Sequence, residues 1–239
     1  MPRLTVPPNF IGTSGIDSLV AQESNASVAI GINILNPGVI STFSGNDSIT
    51  GTGTGTVNLK TSKAGTGIGI NNSGTLNAGS GSDTITGTGI GGSFSNNIGT
   101  AIIGSSLGEA TAGGIAYGIY GQGIIKTGDG NDKIIATSNI DKVQQKVTIG
   151  GGIRFELGTG NDYFKGFGSA IVDGGNGFDT LDVKAFKRSE VSVSGVISGN
   201  SLNPANITFN NNGNLITLLT TGFENFIFAD SSFSYSNLT

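Results

Sequence analysis

The chain has 239 residues with 42 glycines, no cysteine, no histidine and a formal charge of -4 from 12 basic and 16 acidic side chains. The missing thiols and imidazoles exclude disulfides, zinc and haem ligation, cysteine nucleophiles and histidine bases, so any metal must be held by oxygen. Sparse, net-negative charge argues against nucleic acid as a partner, and abundant Gly, Asn, Ser and Thr favour short strands joined by turns over helices.

In chain order, MPRLTVPPNF carries Arg3 without a following apolar run, so no cleaved secretory signal is expected, and no stretch approaches the length of a membrane span. Phe10 then precedes an acidic loop, GTSGIDSLV from Gly12. Ile32 and Ile34, a turn at Asn36 to Gly38 and Ile40 lead into a second, TFSGNDSIT from Thr42. Ile68 and Ile70, a turn at Asn71 to Gly74 and Leu76 lead into AGSGSDTIT from Ala78. Tyr117 and Ile119, Gly121 to Gly123 and Ile125 lead into TGDGNDKII from Thr127. Val147 and Ile149, Gly150 to Gly152 and Phe155 lead into LGTGNDYFK from Leu157, and Val172 into GGNGFDTLD from Gly174. Side chains two apart on a strand share a face, so each unit reads as strand, glycine turn, strand, acidic loop, strand, with its apolar residues inward.

The segments after each third strand, TVNLKTSKA and NIDKVQQKV among them, are expected to loop outward. The widest interval, between Asp83 and Asp132, has room for a further unit near GSSLGEA, Gly104 to Ala110. Residues 1–182 are therefore read as one stack of units that bury a common core. From 183 to 239 the pattern stops, and ITFNNNGNLITLL predicts a hairpin at its Asn-Gly, followed by FENFIFAD. This tail is expected to be a short β-rich cap that covers the last open strand edge.

All six loops have glycine at position four, aspartate at six and an apolar residue at eight, against about 0.7 matches to that triad by chance. The pattern resembles the RTX nonapeptide of haemolysin-type calcium-binding proteins, G-G-x-G-x-D-x-U-x with U apolar. It departs from that family in two ways. Thr13 and Phe43 replace the second glycine of the first two loops and only Gly12 and Gly174 keep the first glycine, and the shared aspartates Asp17, Asp47, Asp83, Asp132, Asp162 and Asp179 are unevenly spaced rather than in uninterrupted tandem. The resemblance implies an all-β parallel β-helix or β-roll solenoid with a calcium-binding turn ladder.

Stacked strands lie about 4.8 Å apart, and two carboxylates about 5 Å apart repel by about 3 kcal/mol at an effective dielectric of 20. A divalent cation would relieve that repulsion. Calcium suits the chemistry, because it takes about six to eight oxygen ligands with loose angular demands. The family pattern implies that the six aspartates are ligands, with the carbonyls of Gly81, Gly130, Gly160 and Gly177, and that the next stacked loop completes each shell. Asp129 and Asn131 add oxygen or brace the turn. The competing reading is that these aspartates only cap backbone N–H groups in Asx turns.

The expected function is a calcium-binding, extracellular or cell-surface scaffold or matrix protein folded by Ca2+. Family precedent adds export by the type I route without a cleaved N-terminal signal. Calcium ions are the expected partners, with end-to-end self-association into an oligomer or fibre and contact with a surface polysaccharide as further ones; nucleic acid and membrane insertion are not expected. No catalysis is expected, since Arg3, Arg154 and Arg188 are scattered and no imidazole base exists. The alternatives are a carbohydrate-active β-helix of lyase or epimerase type and an ice- or surface-binding solenoid, suggested by TGTGTGT from Thr50 and TITGTG from Thr84.

Overall fold

A computed structural model describes residues 2–58, 64–92, 114–198, 201–211 and 213–237. The fold is all-β and mostly parallel. The first unit comprises β1 (Leu4–Val6), β2 (Phe10–Ile11) and β3 (Ser18–Ala26); the second β4 (Val28–Ile34), β5 (Val39–Ser41) and β6 (Ser48–Gly55). The third comprises β7 (Thr66–Asn72), β8 (Thr75–Asn77) and β9 (Thr84–Gly91), and the fourth β10 (Ala116–Gly121), β11 (Ile124–Asp129) and β12 (Lys133–Ile140). A short β13 (Val143–Gln144) folds back on β12. Then come β14 (Ile149–Thr159), β15 (Tyr163–Lys165), β16 (Gly168–Asp173) and β17 (Thr180–Asp182), followed by β18 (Val191–Ser198), β19 (Ser201–Asn211), β20 (Asn214–Thr221), β21 (Asn225–Ile227) and β22 (Ser232–Ser234).

Each strand pairs in parallel with its counterpart in the next unit, as β4 does with β7, β5 with β8 and β6 with β9. The first and second strands of the units belong to one sheet of thirteen strands, joined where β14 pairs with both β10 and β11, and the third strands form a sheet of nine. Parallel register stacks like on like. Ile32, Ile70, Ile119 and Ile149 form one column, and Ile40, Leu76, Ile125, Phe155 and Val172 a second. Ile49, Ile85, Ile134, Phe164, Leu181 and Phe226 form a third. All of these are buried, and burial of such a side chain stabilises by about 1.5–3 kcal/mol. In the last units phenylalanines take over, with Phe155 against Phe164 at 4.9 Å and Phe167 against Phe186 at 4.6 Å between ring centroids.

Two expectations are corrected here. Between Asp83 and Asp132, β7 pairs directly with β10, β8 with β11 and β9 with β12, so no further unit is inserted; Gly104 to Ala110 itself lies outside the described residues. Of the apolar pairs expected to point inward, Ile68, Tyr117 and Val147 are only half-buried. The reason is a corner in the strand: Gly69 and Ile70, and likewise Gly118 and Ile119, both approach the interior, which turns the residue before them outward.

The glycines of the third strands have a purpose that composition did not reveal. A Cβ on Gly53 would lie 2.2 Å from the Ile68 carbonyl oxygen and 2.4 Å from that of Ala29, and Gly51, Gly87 and Gly89 are equally crowded by backbone. The two sheets therefore meet there at backbone contact, far closer than the usual face-to-face spacing of about 10 Å. With glycines inside, the alternate threonines face outward, and register sets Thr50 beside Thr86, Thr52 beside Thr88 and Thr88 beside Thr137.

The C-terminal segment both extends and closes the stack. β20 continues from β16 and β21 from β17 in parallel, after which β19 and β22 cover them antiparallel. The expected hairpin is present, with Asn211 opposite Asn214. Among the described residues no helix is long and apolar enough to cross a membrane.

Candidate functional site

The acidic loops connect the second strand of each unit to the third. In the second to sixth loops positions two and four adopt positive φ, as at Gly158 (+110°) and Gly160 (+135°), and Phe43 takes the same left-handed region at +65° where the later loops have glycine. At position four the demand is steric as well: a Cβ on Gly160 would lie 1.6 Å from the Gly130 carbonyl oxygen. Only glycine meets both conditions.

This backbone brings the shared aspartates into a continuous ladder. The Asp17 N–H donates to Asp47 Oδ1 (2.8 Å), Asp47 N–H to Asp83 Oδ1 (2.8 Å) and Asp83 N–H to Asp132 Oδ1 (2.8 Å). Asp132 N–H donates to Asp162 Oδ1 (2.7 Å) and Asp162 N–H to Asp179 Oδ1 (2.8 Å). Each Oδ1 thus caps the N–H of the preceding rung. The second oxygen is different. Oδ2 of Asp47, Asp83, Asp132, Asp162 and Asp179 is buried without a hydrogen-bond partner, and these residues are at most 2 % exposed. Asp17, at the open end, is the exception, since its Oδ2 accepts the Thr13 N–H at 2.7 Å.

An unpartnered buried carboxylate oxygen is costly, and the electrostatics record the cost. Desolvation raises Asp83 to about 6, reinforced by the neighbouring charges of Asp132 and Asp47 and opposed by the Asp47 N–H. Burial likewise raises Asp162 to about 6 and Asp179 to about 7, the latter reinforced by Asp162, Glu224 and Asp173. Asp132 is raised by burial too, with the Asp83 N–H and the Thr127 hydroxyl pulling the other way.

The remaining residues singled out from sequence fall in distinct places. Asn131 Oδ1 accepts the Asn161 N–H at 2.7 Å and Asp129 Oδ1 accepts the Thr159 hydroxyl at 2.8 Å, so both brace the following loop. The carbonyls of Gly81, Gly130 and Gly160 each abut the position-four glycine of the next loop, along the stacking direction, and Gly177 receives that of Gly160. Among the described residues no three acidic side chains cluster closely enough to form a carboxylate cage. An ion at this ladder would draw on one or two carboxylates and on backbone carbonyls, a donor set that calcium accepts.

Sequence reasoning missed one member. Glu224 Oε2 accepts the Asp179 N–H at 2.7 Å and the Asn225 N–H returns to the Asp179 carbonyl at 3.1 Å, which makes Glu224 a seventh rung. The signal was present as Gly222-x-Glu224-x-Phe226, the same triad with glutamate in place of aspartate. Asp182 lies buried but fully engaged, accepting the Tyr163 hydroxyl and the Lys184 N–H.

The chain matches no protein-family model, no curated protein and no solved structure.

Proposed function

We propose that the chain is a structural scaffold of the extracellular space or cell surface, a three-sided β-solenoid whose acidic turn ladder is completed by divalent cations, calcium first among them. The observation that carries this reading is the line of five buried Oδ2 atoms without a partner. Bare carboxylates stacked at strand spacing repel one another, and a cation beside each unpartnered oxygen would replace that repulsion with attraction. Asp47, Asp83, Asp132, Asp162 and Asp179 would hold the ions through Oδ2, while Oδ1 continues to cap the preceding rung. Asp17, Asp129 and Asn131 shape the loops around them, and backbone carbonyls would supply further oxygens. When bound, calcium supplies positive charge shared between levels, so that binding and folding draw on one free energy.

The resemblance to RTX repeats supports the choice of ion and of an extracellular setting. The strand edges within the described residues are blunted: β19 and β22 cover β20 and β21 antiparallel, and Pro7 and Pro8 stand between β1 and β2, where proline blunts further pairing. That arrangement works against open-ended fibres. Calcium titration of the chelator-treated protein, followed by far-ultraviolet circular dichroism and thermal melting, tests the reading. A melting temperature that rises with calcium supports it; identical melting in chelator and in millimolar calcium at pH 8 refutes it.

A second reading rests on the outer face of β6, β9 and β12. Thr50, Thr52, Thr86, Thr88 and Thr137 stand in register there as a row of uncharged hydroxyls, which suits an ordered hydroxylated surface such as ice or crystalline polysaccharide. Lys133 and Ile135 interrupt the row on β12. A thermal hysteresis measurement decides this reading independently of calcium.

A further inference from the structure

We infer that the junction of the sixth and seventh rungs is the ladder's tightest divalent-cation site, formed by Asp179 and Glu224 with the Gly222 carbonyl and with Asp173 at its rim, and that it fastens the C-terminal segment to the stack. The inference rests on the cation reading above and adds a residue, a place and an order of loading to it.

Three observations single out this rung. First, this rung alone ends on a glutamate: Asp179, with no exposed surface and an unpartnered Oδ2, is followed by Glu224, 8 % exposed, whose Oε2 accepts the Asp179 N–H as the next aspartate's Oδ1 does at the other rungs. Second, position one of this loop is Gly174, and the side of its Cα that a Cβ would occupy is where oxygens converge. Such a Cβ would lie 2.5 Å from the Gly222 carbonyl oxygen and 2.7 Å from Asp179 Oδ2. In the second to fifth loops the same position carries Thr42, Ala78, Thr127 and Leu157, whose side chains fill it. At Gly12, in the first loop, Asp17 Oδ2 is already engaged by the Thr13 N–H. Third, Asp173 precedes Gly174 and is anchored by the Thr221 hydroxyl at 2.8 Å, which keeps a third negative charge beside the junction. Two carboxylates with a further charge at the rim, and a carbonyl facing a position that no side chain fills, set this rung apart, and affinity for calcium rises with ligand charge.

The site also joins two parts of the chain distant in sequence. Asp173, Gly174 and Asp179 belong to the last repeated loop; Thr221, Gly222 and Glu224 belong to the segment that continues into β21 and its covering strand β22. An ion shared between them would hold the seventh rung, and with it the antiparallel cover, onto the sixth.

Calorimetric calcium titration of the full chain, wild type against Glu224→Gln and Gly174→Ala, tests this. Glutamine keeps an oxygen for the Asp179 N–H and removes the charge, while alanine places a methyl group among the converging oxygens; circular dichroism in chelator checks that each variant retains wild-type strand content. The expected result is a wild-type curve with one tighter class of site, weakened at least tenfold in Glu224→Gln and in whichever alanine preparation is folded, with the weaker sites unchanged. Wild-type calcium binding that Glu224→Gln leaves unaltered in affinity and stoichiometry overturns the assignment and spares the scaffold reading. A wild type that binds no calcium overturns both.

Discussion

Asp162 lies in the middle of the ladder, flanked by Asp132 and Asp179, and replacing it separates the two tasks its carboxylate performs. Its Oδ1 accepts the Asp132 N–H at 2.7 Å, and its Oδ2 is buried without a partner. The shift from 3.8 to about 6 corresponds to about 3 kcal/mol against the ionised form above pH 6. Burial is the larger cause of that shift, and the charge of Asp132 adds to it. In chelator at pH 8, Asp162→Asn removes that charge and keeps the acceptor, but buries an amide N–H that costs about 1–3 kcal/mol if unpaired. The net expectation is a gain of about 1 kcal/mol, or about 2–4 °C in melting temperature for a chain of this size. Asp162→Ala also removes the charge but strands the Asp132 N–H, so it should melt below the asparagine variant by about 1–3 kcal/mol. Added calcium should reverse the order of wild type and asparagine variant, because only the wild type retains the oxygen that an ion would use. Thermal melts of the three proteins in chelator and in calcium are the assay. An asparagine variant less stable than wild type in chelator, with no reversal on adding calcium, would refute the argument that burial and the neighbouring charge disfavour the ionised carboxylate.

The pH dependence has a definite sign. Asp83, Asp162 and Asp179 are raised in the fold, so the stability they contribute is complete below about pH 4, where they are protonated in both states, and is lost as pH rises through 6 to 7. Melting temperature in chelator should therefore fall between about pH 4 and pH 7 and level off above it, and calcium should flatten that fall; a chelator profile level across the range would contradict the burial argument. Gly53→Ala should destabilise by several kcal/mol or prevent folding, since its methyl group would meet the Ile68 and Ala29 carbonyls, as read by denaturant unfolding. Phe43→Gly should stabilise by about 1 kcal/mol, because Phe43 holds a left-handed conformation at φ +65° while half its surface is exposed; chemical denaturation of the two proteins side by side checks this.

Much of the architecture was legible in the sequence because parallel stacking repeats one local pattern. Apolar residues at position eight and two before each loop name two of the three core columns outright, and the glycine and aspartate positions mark the turns. Two things escaped that reading for local reasons. Glu224 was passed over because the triad there carries glutamate rather than aspartate. The inward glycines of β6 and β9 were invisible because a glycine's partner is backbone from another strand, which leaves no trace in composition.

What the sequence determined by itself is which residues belong to a turn and which to a strand, since these follow from periodicity and turn chemistry. What only the tertiary structure decided is register. Gaps of 30, 36, 49, 30 and 17 residues separate aspartates that nevertheless stack one above the next, because strand pairing, not chain length, sets the distance between rungs. That pairing gives each Oδ1 an N–H to accept and leaves the Oδ2 beside it buried with none.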